Sequence, residues 1–146
     1  MSEIIKENKK ENISFEDFKH EVLEDYRIAN ISRQLSLLGR KEVLTGKAKF
    51  GIFGDGKELA QIAMAKSFRN GDWRSGYYRD QTFMLATGML SPEEFFAQLY
   101  GETQLDKNPA NGGRLMNNHY ASRSLNADGT WKNLTEQKNS SADISP

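Results

Sequence analysis

The chain has 146 residues and equal numbers of Lys plus Arg and Asp plus Glu, 20 of each, so its formal net charge is zero. That length suits about one domain with one modest core, and the lack of a basic excess argues against non-specific nucleic-acid binding. Cysteine is absent, which excludes a disulfide scaffold, a thiol nucleophile and a thiolate zinc site. The two histidines, His20 and His119, are too few for a three-histidine metal site. No apolar run of about 18 residues is present to cross a membrane. The N-terminus has neither the apolar core of a signal peptide nor the acid-poor composition of a transit peptide. The expectation is a soluble protein of the cytoplasm.

Residues 1–13 read as a polar flexible arm. Ser14 then opens a helix, with Asp17 as its capping partner. Phe15, Phe18, Val22, Tyr26, Ala29, Leu35 and Leu38 follow in steps of mostly three and four, which predicts an amphipathic helix to about Gly39. Residues 1–25 hold eight acids and four lysines, whereas residues 26–50 hold six bases and one acid. Arg33 and Arg40 stand near the basic end, where they suit the negative pole of the helix. A glycine-broken segment, Gly46 to Gly56, allows a short strand at Phe50–Phe53. Residues 57–69 read as a second helix that stops at Asn70-Gly71. Residues 72–79 suit a strand or an extended connection, and residues 80–87 a short helix ending at Gly88. Ser91-Pro92-Glu93-Glu94 is the clearest local signal, a capping box with proline at the first helical position. From Gly101 on, only 12 of 46 residues are apolar and seven are Asn. Such a stretch reads as loops that stay mobile or order against another surface.

Three segments carry chemistry. Gly51-Ile52-Phe53-Gly54-Asp55-Gly56-Lys57-Glu58 approaches the phosphate-loop pattern, in which backbone amides cradle phosphate and a lysine reaches its outer oxygens. Glu58 stands where a hydroxyl should hold magnesium, so a nucleotide binder of this kind is a degenerate one. Tyr77-Tyr78-Arg79-Asp80 offers a planar guanidinium fork and phenolic donors that match phosphate oxygens. Its plainer reading is an aromatic cluster with an Arg–Asp surface pair. In Gly112-Gly113-Arg114-Leu115-Met116-Asn117-Asn118-His119-Tyr120 the glycines permit close approach or positive φ, and His119 is suited to proton transfer or hydrogen bonding. Without a cofactor, the chain reads as a small helical protein-interaction module that docks through residues 15–40.

The order of the pieces is more informative than any one of them. YRIANISRQLSLLGRKEVLTGK, GDGKELAQIAMAKSFRNGDW, YYRDQTFMLATGM, GGRLMNNHYAS and SSADISP together resemble the N-terminal part of the alpha subunit of a thiamine-diphosphate-dependent 2-oxoacid dehydrogenase. The resemblance covers roughly residues 26–146. It implies an α/β thiamine-diphosphate-binding fold in the intact family, of which this stretch is mainly α-helical with short strands and a loop-rich C-terminal third. Residues 14–146 are then an incomplete N-terminal portion of such a domain. GDGKELAQ resembles the family's Gly-x-Glu-Ala block, with Glu58 on its Glu and Leu59 departing from its Ala. YYRDQ resembles the Tyr-Arg-Asp/Glu block, which implies cofactor contacts for Tyr78 and Arg79. GGRLMNNHY resembles the branched-chain version of its block through Arg114, Met116, His119 and Tyr120, and makes His119 a pocket residue. Ser145-Pro146 resembles the start of a Ser-Pro-Leu-x-Thr-Gln block, which implies a cofactor contact for Ser145 and a potassium ion on the Pro146 carbonyl.

The resemblance also implies what lies elsewhere. Gly54-Asp55-Gly56 has the letters of the family's magnesium motif, but no Asn follows at the needed distance, so Asp55 is excluded as a metal ligand. Magnesium ligands are expected outside this chain. The partners implied are the beta part of the dehydrogenase and the lipoyl-bearing acyltransferase, with oxidative decarboxylation of a 2-oxoacid and acyl transfer to lipoyl as the reaction. The expectation is a chain that is inactive by itself.

Overall fold

The computed structural model describes residues 13–141. The expected arm therefore lies, except for Ile13, outside the described residues, as do Ser145 and Pro146. In chain order the elements are α1 (Phe15–Leu44), α2 (Glu58–Ala65), β1 (Trp73–Arg74), α3 (Gln81–Ala86), α4 (Pro92–Leu99) and β2 (Asn139–Ser140). The described chain is mostly helical, and its two short strands pair in parallel, Trp73 with Asn139 and Arg74 with Ser140.

The Ser14 hydroxyl accepts the Asp17 N–H at 3.1 Å and starts α1 as the sequence predicts. The helix runs past Gly39 to Leu44, because Gly39 here serves packing and not termination. A Cβ on Gly39 would lie 2.4 Å from the Phe53 ring. Ser32, Leu35, Ser36 and Gly39 form the buried face of α1. The expected apolar stripe in the first half is not buried: Phe15, Phe18, Val22 and Tyr26 all face solvent. Helix α2 ends at Ala65, four residues short of expectation, where turns carry the chain to Gly71. No strand forms at Phe50–Phe53, because the Ile52 peptide bonds to an asparagine side chain in place of a neighbouring strand. Helix α4 has the full capping box, with Ser91 Oγ accepting Glu94 N–H and Glu94 Oε2 accepting Ser91 N–H.

The core joins Leu35 of α1, Ala65 of α2, Phe83 and Met84 of α3, Phe95 of α4, and Leu90 and Tyr120 from the loops. Phe68 meets Phe83 edge-on at 5.1 Å between ring centroids, the geometry that aromatic quadrupoles favour. Alongside this apolar set runs a polar seam. Gln81 is fully buried and donates to the Ser32 carbonyl at 2.8 Å and to Ser36 Oγ at 3.2 Å. Ser32 Oγ and Thr82 Oγ1 share a hydrogen bond of 2.7 Å. The serines on α1 thus let α3 approach closely, with the buried polar side chains of the seam hydrogen-bonded.

Over its described part the polar C-terminal third is packed and hydrogen-bonded. It orders against the helical body of the same chain. Asn139 N–H donates to Asp72 C=O and Ser141 N–H to Arg74 C=O, closing the small sheet. Asn108, Asn111, Asn117, Asn118 and Asn139 are buried. Their amides take the place of a missing ladder: Asn139 Nδ2 reaches Leu134 C=O at 2.8 Å, and Asn111 Oδ1 accepts Gly113 N–H at 2.9 Å. A low apolar content is thus offset by side-chain-to-backbone bonds, which satisfy buried peptide groups as a ladder would.

Replacing Gln81 by Leu leaves Ser32, Ser36 and Asn118 short of a partner in a dry interface. Each such loss costs about 1–3 kcal/mol, so Gln81→Leu is expected to lower stability by about 3 kcal/mol in urea denaturation. Ser91→Ala, which removes only an N-cap, is expected to cost about 1 kcal/mol. Equal effects from the two variants would contradict the seam's role.

Candidate functional site: an aromatic–arginine turn beside a buried histidine

The segment between β1 and α3 is a tight turn whose two ends are fixed by one buried cation. Arg74 donates through Nη2 to the Tyr77 carbonyl at 2.8 Å and to Asp80 Oδ2 at 3.0 Å, and through Nη1 to Ser140 Oγ at 2.9 Å. Asp80 Oδ2 also accepts the Tyr77 N–H at 3.0 Å. Asp80 is therefore paired with Arg74 and not with its neighbour Arg79, which corrects the simple surface-pair reading. Arg74 lies over the Tyr120 ring at 5.4 Å. A Cβ on Gly76 would strike the Arg74 guanidinium, so glycine there makes room for it.

Held in this way, the turn projects Tyr77, Tyr78 and Arg79 together. The two tyrosine rings are 4.1 Å apart, and the Arg79 guanidinium stands 5.9 Å from one centroid and 5.5 Å from the other. The Tyr77 phenol is pushed above its ordinary value, chiefly by its hydrogen bond with Tyr78. Arg79 itself is exposed, and no carboxylate among the described residues pairs with it. Its backbone is not free: Gln61 Nε2 donates to Arg79 C=O at 2.9 Å, while Gln61 Oε1 accepts Phe83 N–H. Gly54 packs so near the same carbonyl that a Cβ would come within 2.5 Å of it.

His119 reaches this turn from the other end of the chain. Its ring lies nearly parallel to Tyr78 at 6.4 Å, with 19° between planes. The ring is buried, and its Nδ1 is 3.1 Å from the Asn117 carbonyl. A carbonyl only accepts, so Nδ1 carries the proton in the neutral ring and Nε2 is left as the acceptor. The loop before it is clamped onto the 51–54 segment. Asn117 takes Ile52 N–H at 3.0 Å and gives to Ile52 C=O at 2.8 Å, and Asn118 Nδ2 gives to the same carbonyl at 2.7 Å. Asn118 adopts φ 65°, a conformation that Asn tolerates better than most residues. Tyr120 is buried, with its hydroxyl donating to Asn118 Oδ1 at 2.6 Å. Arg114 and Met116 point to solvent.

The phosphate-loop reading of residues 51–58 is overturned by the geometry. The Gly56 N–H, which would face phosphate, donates instead to the Glu58 carboxylate at 3.0 Å. Glu58 is buried and also accepts a two-pronged contact from Arg33, at 2.7 and 3.0 Å. Burial pushes the Glu58 carboxyl up, but the Arg33 fork and the backbone N–H groups outweigh it and hold it below its ordinary value. Asp55 accepts from Arg40 at 2.8 Å. Arg33 and Arg40 thus serve the loop between α1 and α2, not the pole of α1.

Residues 26–144 match the family model of the dehydrogenase E1 component. The chain belongs to that family, thiamine-diphosphate-dependent oxidoreductases acting on 2-oxoacids, and the match supports the N-terminal part of the alpha subunit as the region represented. Of the residues singled out by sequence, the structure brings Tyr78, Arg79 and His119 to one place. Sequence reading passed over Arg74, Gln61, Asn117 and Asn118, which position them. The paired asparagines were a visible signal, since two adjacent polar amides in a loop imply buried backbone to satisfy.

The Glu58 carboxyl titrates lower in the folded chain than in the unfolded one. Its contribution to stability is therefore complete above its unfolded value of about 4.3 and is lost as pH falls through the folded one. Glu58→Gln is expected to flatten the acid limb of a stability-versus-pH curve below about pH 4.3. An unchanged acid limb in that variant would show that the Arg33–Glu58 contact does not control it.

Proposed function

We propose that the chain forms one wall of the thiamine-diphosphate site in the decarboxylating component of a 2-oxoacid dehydrogenase complex, of the branched-chain, 2-oxoisovalerate type. The observation that carries this is the stacked Tyr77–Tyr78–Arg79 turn, with a guanidinium that faces solvent and meets no carboxylate among the described residues. A cation fixed through its backbone and left open at its tip suits an oxyanion ligand such as a diphosphate. When bound, the cofactor supplies the carbanion chemistry that releases CO2 from a 2-oxoacid. Arg79 and the Tyr78 hydroxyl hold diphosphate oxygens. His119, with Nε2 as acceptor, lines the pocket or steadies the loop beneath Tyr78. Ser145 adds a cofactor contact, and the Pro146 carbonyl binds potassium. Magnesium is held by residues outside this chain, and the beta part of the enzyme and the lipoyl-bearing acyltransferase complete the assembly in the cytoplasm. Arg114, Met116, His119 and Tyr120 support the branched-chain type through their place in the GGRLMNNHY block.

Calorimetric titration with thiamine diphosphate and magnesium tests this, with the chain alone and with the beta part and the rest of the enzyme co-expressed. Binding is expected in the assembled enzyme. A charge-assisted hydrogen bond contributes about 1.5–3 kcal/mol, so Arg79→Ala is expected to weaken binding about 10- to 100-fold. Unaltered affinity in a folded Arg79→Ala enzyme would remove Arg79 from the site. A kcat/KM for pyruvate above that for 2-oxoisovalerate would exclude the branched-chain type.

A further inference from the structure

A cavity of about 220 Å³ lies between helices α3 and α4 and the loops of the C-terminal third. Its floor is apolar and includes Met84, Leu90 and Tyr120, all buried. A short hairpin from the polar third supplies the opposite wall. Leu125 bridges Trp131, and Lys132 N–H donates to Ser124 C=O at 2.9 Å. The hairpin thus brings Arg123 and Lys132 to the cavity from its two arms, and Lys138 joins them further along the chain. None of Tyr78, Arg79 and His119 lines this cavity, so the cofactor reading leaves it unused.

The polar groups at its wall are mostly donors that lack an anionic partner. Arg123 Nε donates to Pro109 C=O at 3.3 Å, and Lys138 Nζ to Thr87 C=O at 3.1 Å. A carbonyl orients a cation without cancelling its charge, and neither cation meets a carboxylate among the described residues. Lys132 is half-buried, and its ammonium makes neither hydrogen bond nor ion pair among the described residues. Gln98 also lines the cavity and is 4% exposed; its Oε1 accepts Asn118 N–H at 2.9 Å, whereas its Nε2 has no partner among the described residues. A buried amide donor and a partly desolvated ammonium without acceptors carry a cost that a bound anion removes. Glu94 is the one acid in the lining, and its Oε2 is engaged by Ser91 N–H. Three positive charges therefore face one negative charge above an apolar floor. Such a lining suits an amphiphilic anion, and the volume suits one smaller than a drug-sized ligand. We infer that this cavity binds a small carboxylic acid in its anionic form, with the carboxylate among Arg123, Lys132 and Lys138 and an aliphatic tail against Met84, Leu90 and Tyr120. The site stands on these residues alone and does not depend on the cofactor assignment.

Hexanoate is the probe, followed by NMR of the nitrogen-labelled chain and by calorimetry. It is expected to bind at about 1 mM or tighter and to shift the Gln98 side-chain amide and the backbone amides of Ala121 and Ser122. Added salt is expected to weaken the binding. Lys132→Met and Arg123→Met remove a charge and keep an apolar stem, and circular dichroism checks that each remains folded. Each is expected to weaken hexanoate about 10-fold. Hexanol, which has the tail without the charge, is expected to bind about 10-fold more weakly than hexanoate. Hexanol binding as tightly as hexanoate, or undiminished hexanoate binding in both folded variants, overturns the anion site. Inorganic phosphate competing as well as hexanoate overturns the assignment to a carboxylic acid with a tail. Absence of any shift at these amides in tens of millimolar hexanoate overturns the proposal as a whole.

Discussion

Much of this structure depends on one buried amide. Gln81 sits at the first position of α3, without solvent contact, and ties the Ser32 carbonyl and the Ser36 hydroxyl of α1 to the Asn118 side chain of the C-terminal third. A polar group in that place is costly unless every bond is made. The bonds are made only when α1, α3 and the 117–118 loop are all in position. The seam therefore discriminates the correct packing from near alternatives, which the modest apolar core would do less sharply. It also sets the register of the site: Arg79 lies two residues before Gln81, and His119 follows Asn118 directly.

Four arginines near this centre are electrostatically distinct. Arg33 and Arg40 clasp Glu58 and Asp55 and hold the loop that leads into α2. Arg74 is buried, is paired with Asp80, and fixes both ends of the 77–80 turn. Arg79 alone of the four stands in solvent without a carboxylate partner among the described residues. Stacking on two tyrosine rings limits its rotamers without neutralising it. The guanidinium is thereby partly ordered with its charge intact. Three arginines are spent on architecture, and that architecture presents the fourth.

Local signals in the sequence located the helices well, since caps and apolar periodicity act over a few residues. The Ser91–Glu94 box and the Ser14 cap formed as their chemistry requires. What escaped was long-range. Gly39 reads as a stop, yet α1 continues because the site it fills is a contact with Phe53. Phe50–Phe53 has strand composition, but its peptide group finds an asparagine first. The loops of the tail formed as composition implies, but the surface they order against, the chain's own helical body, is not written in an apolar count. Seven asparagines in 46 residues carry donors and acceptors enough to close loops on the body, and composition alone does not tell a solvated asparagine from a buried one. At the candidate site, motif order singles out Tyr78, Arg79 and His119, and the fold sets Arg79 and His119 beside Tyr78. Arg74 was not, because its role exists only once Asp80 and Ser140 are folded around it.

The two halves of α1 show how one helix serves two environments. From Ser32 onward, the buried face sets the core residue Leu35 among the small residues Ser32, Ser36 and Gly39. In the first half, Lys66, just past the end of α2, reaches over to Glu21 and Asp25. The apolar residues on the outer face cannot be explained by this core, since packing within the described residues leaves them in water. They are not confined to one row either, since Phe18, Leu23 and Leu38 of the same helix are also exposed, while most of the charges of α1 are already paired within the chain.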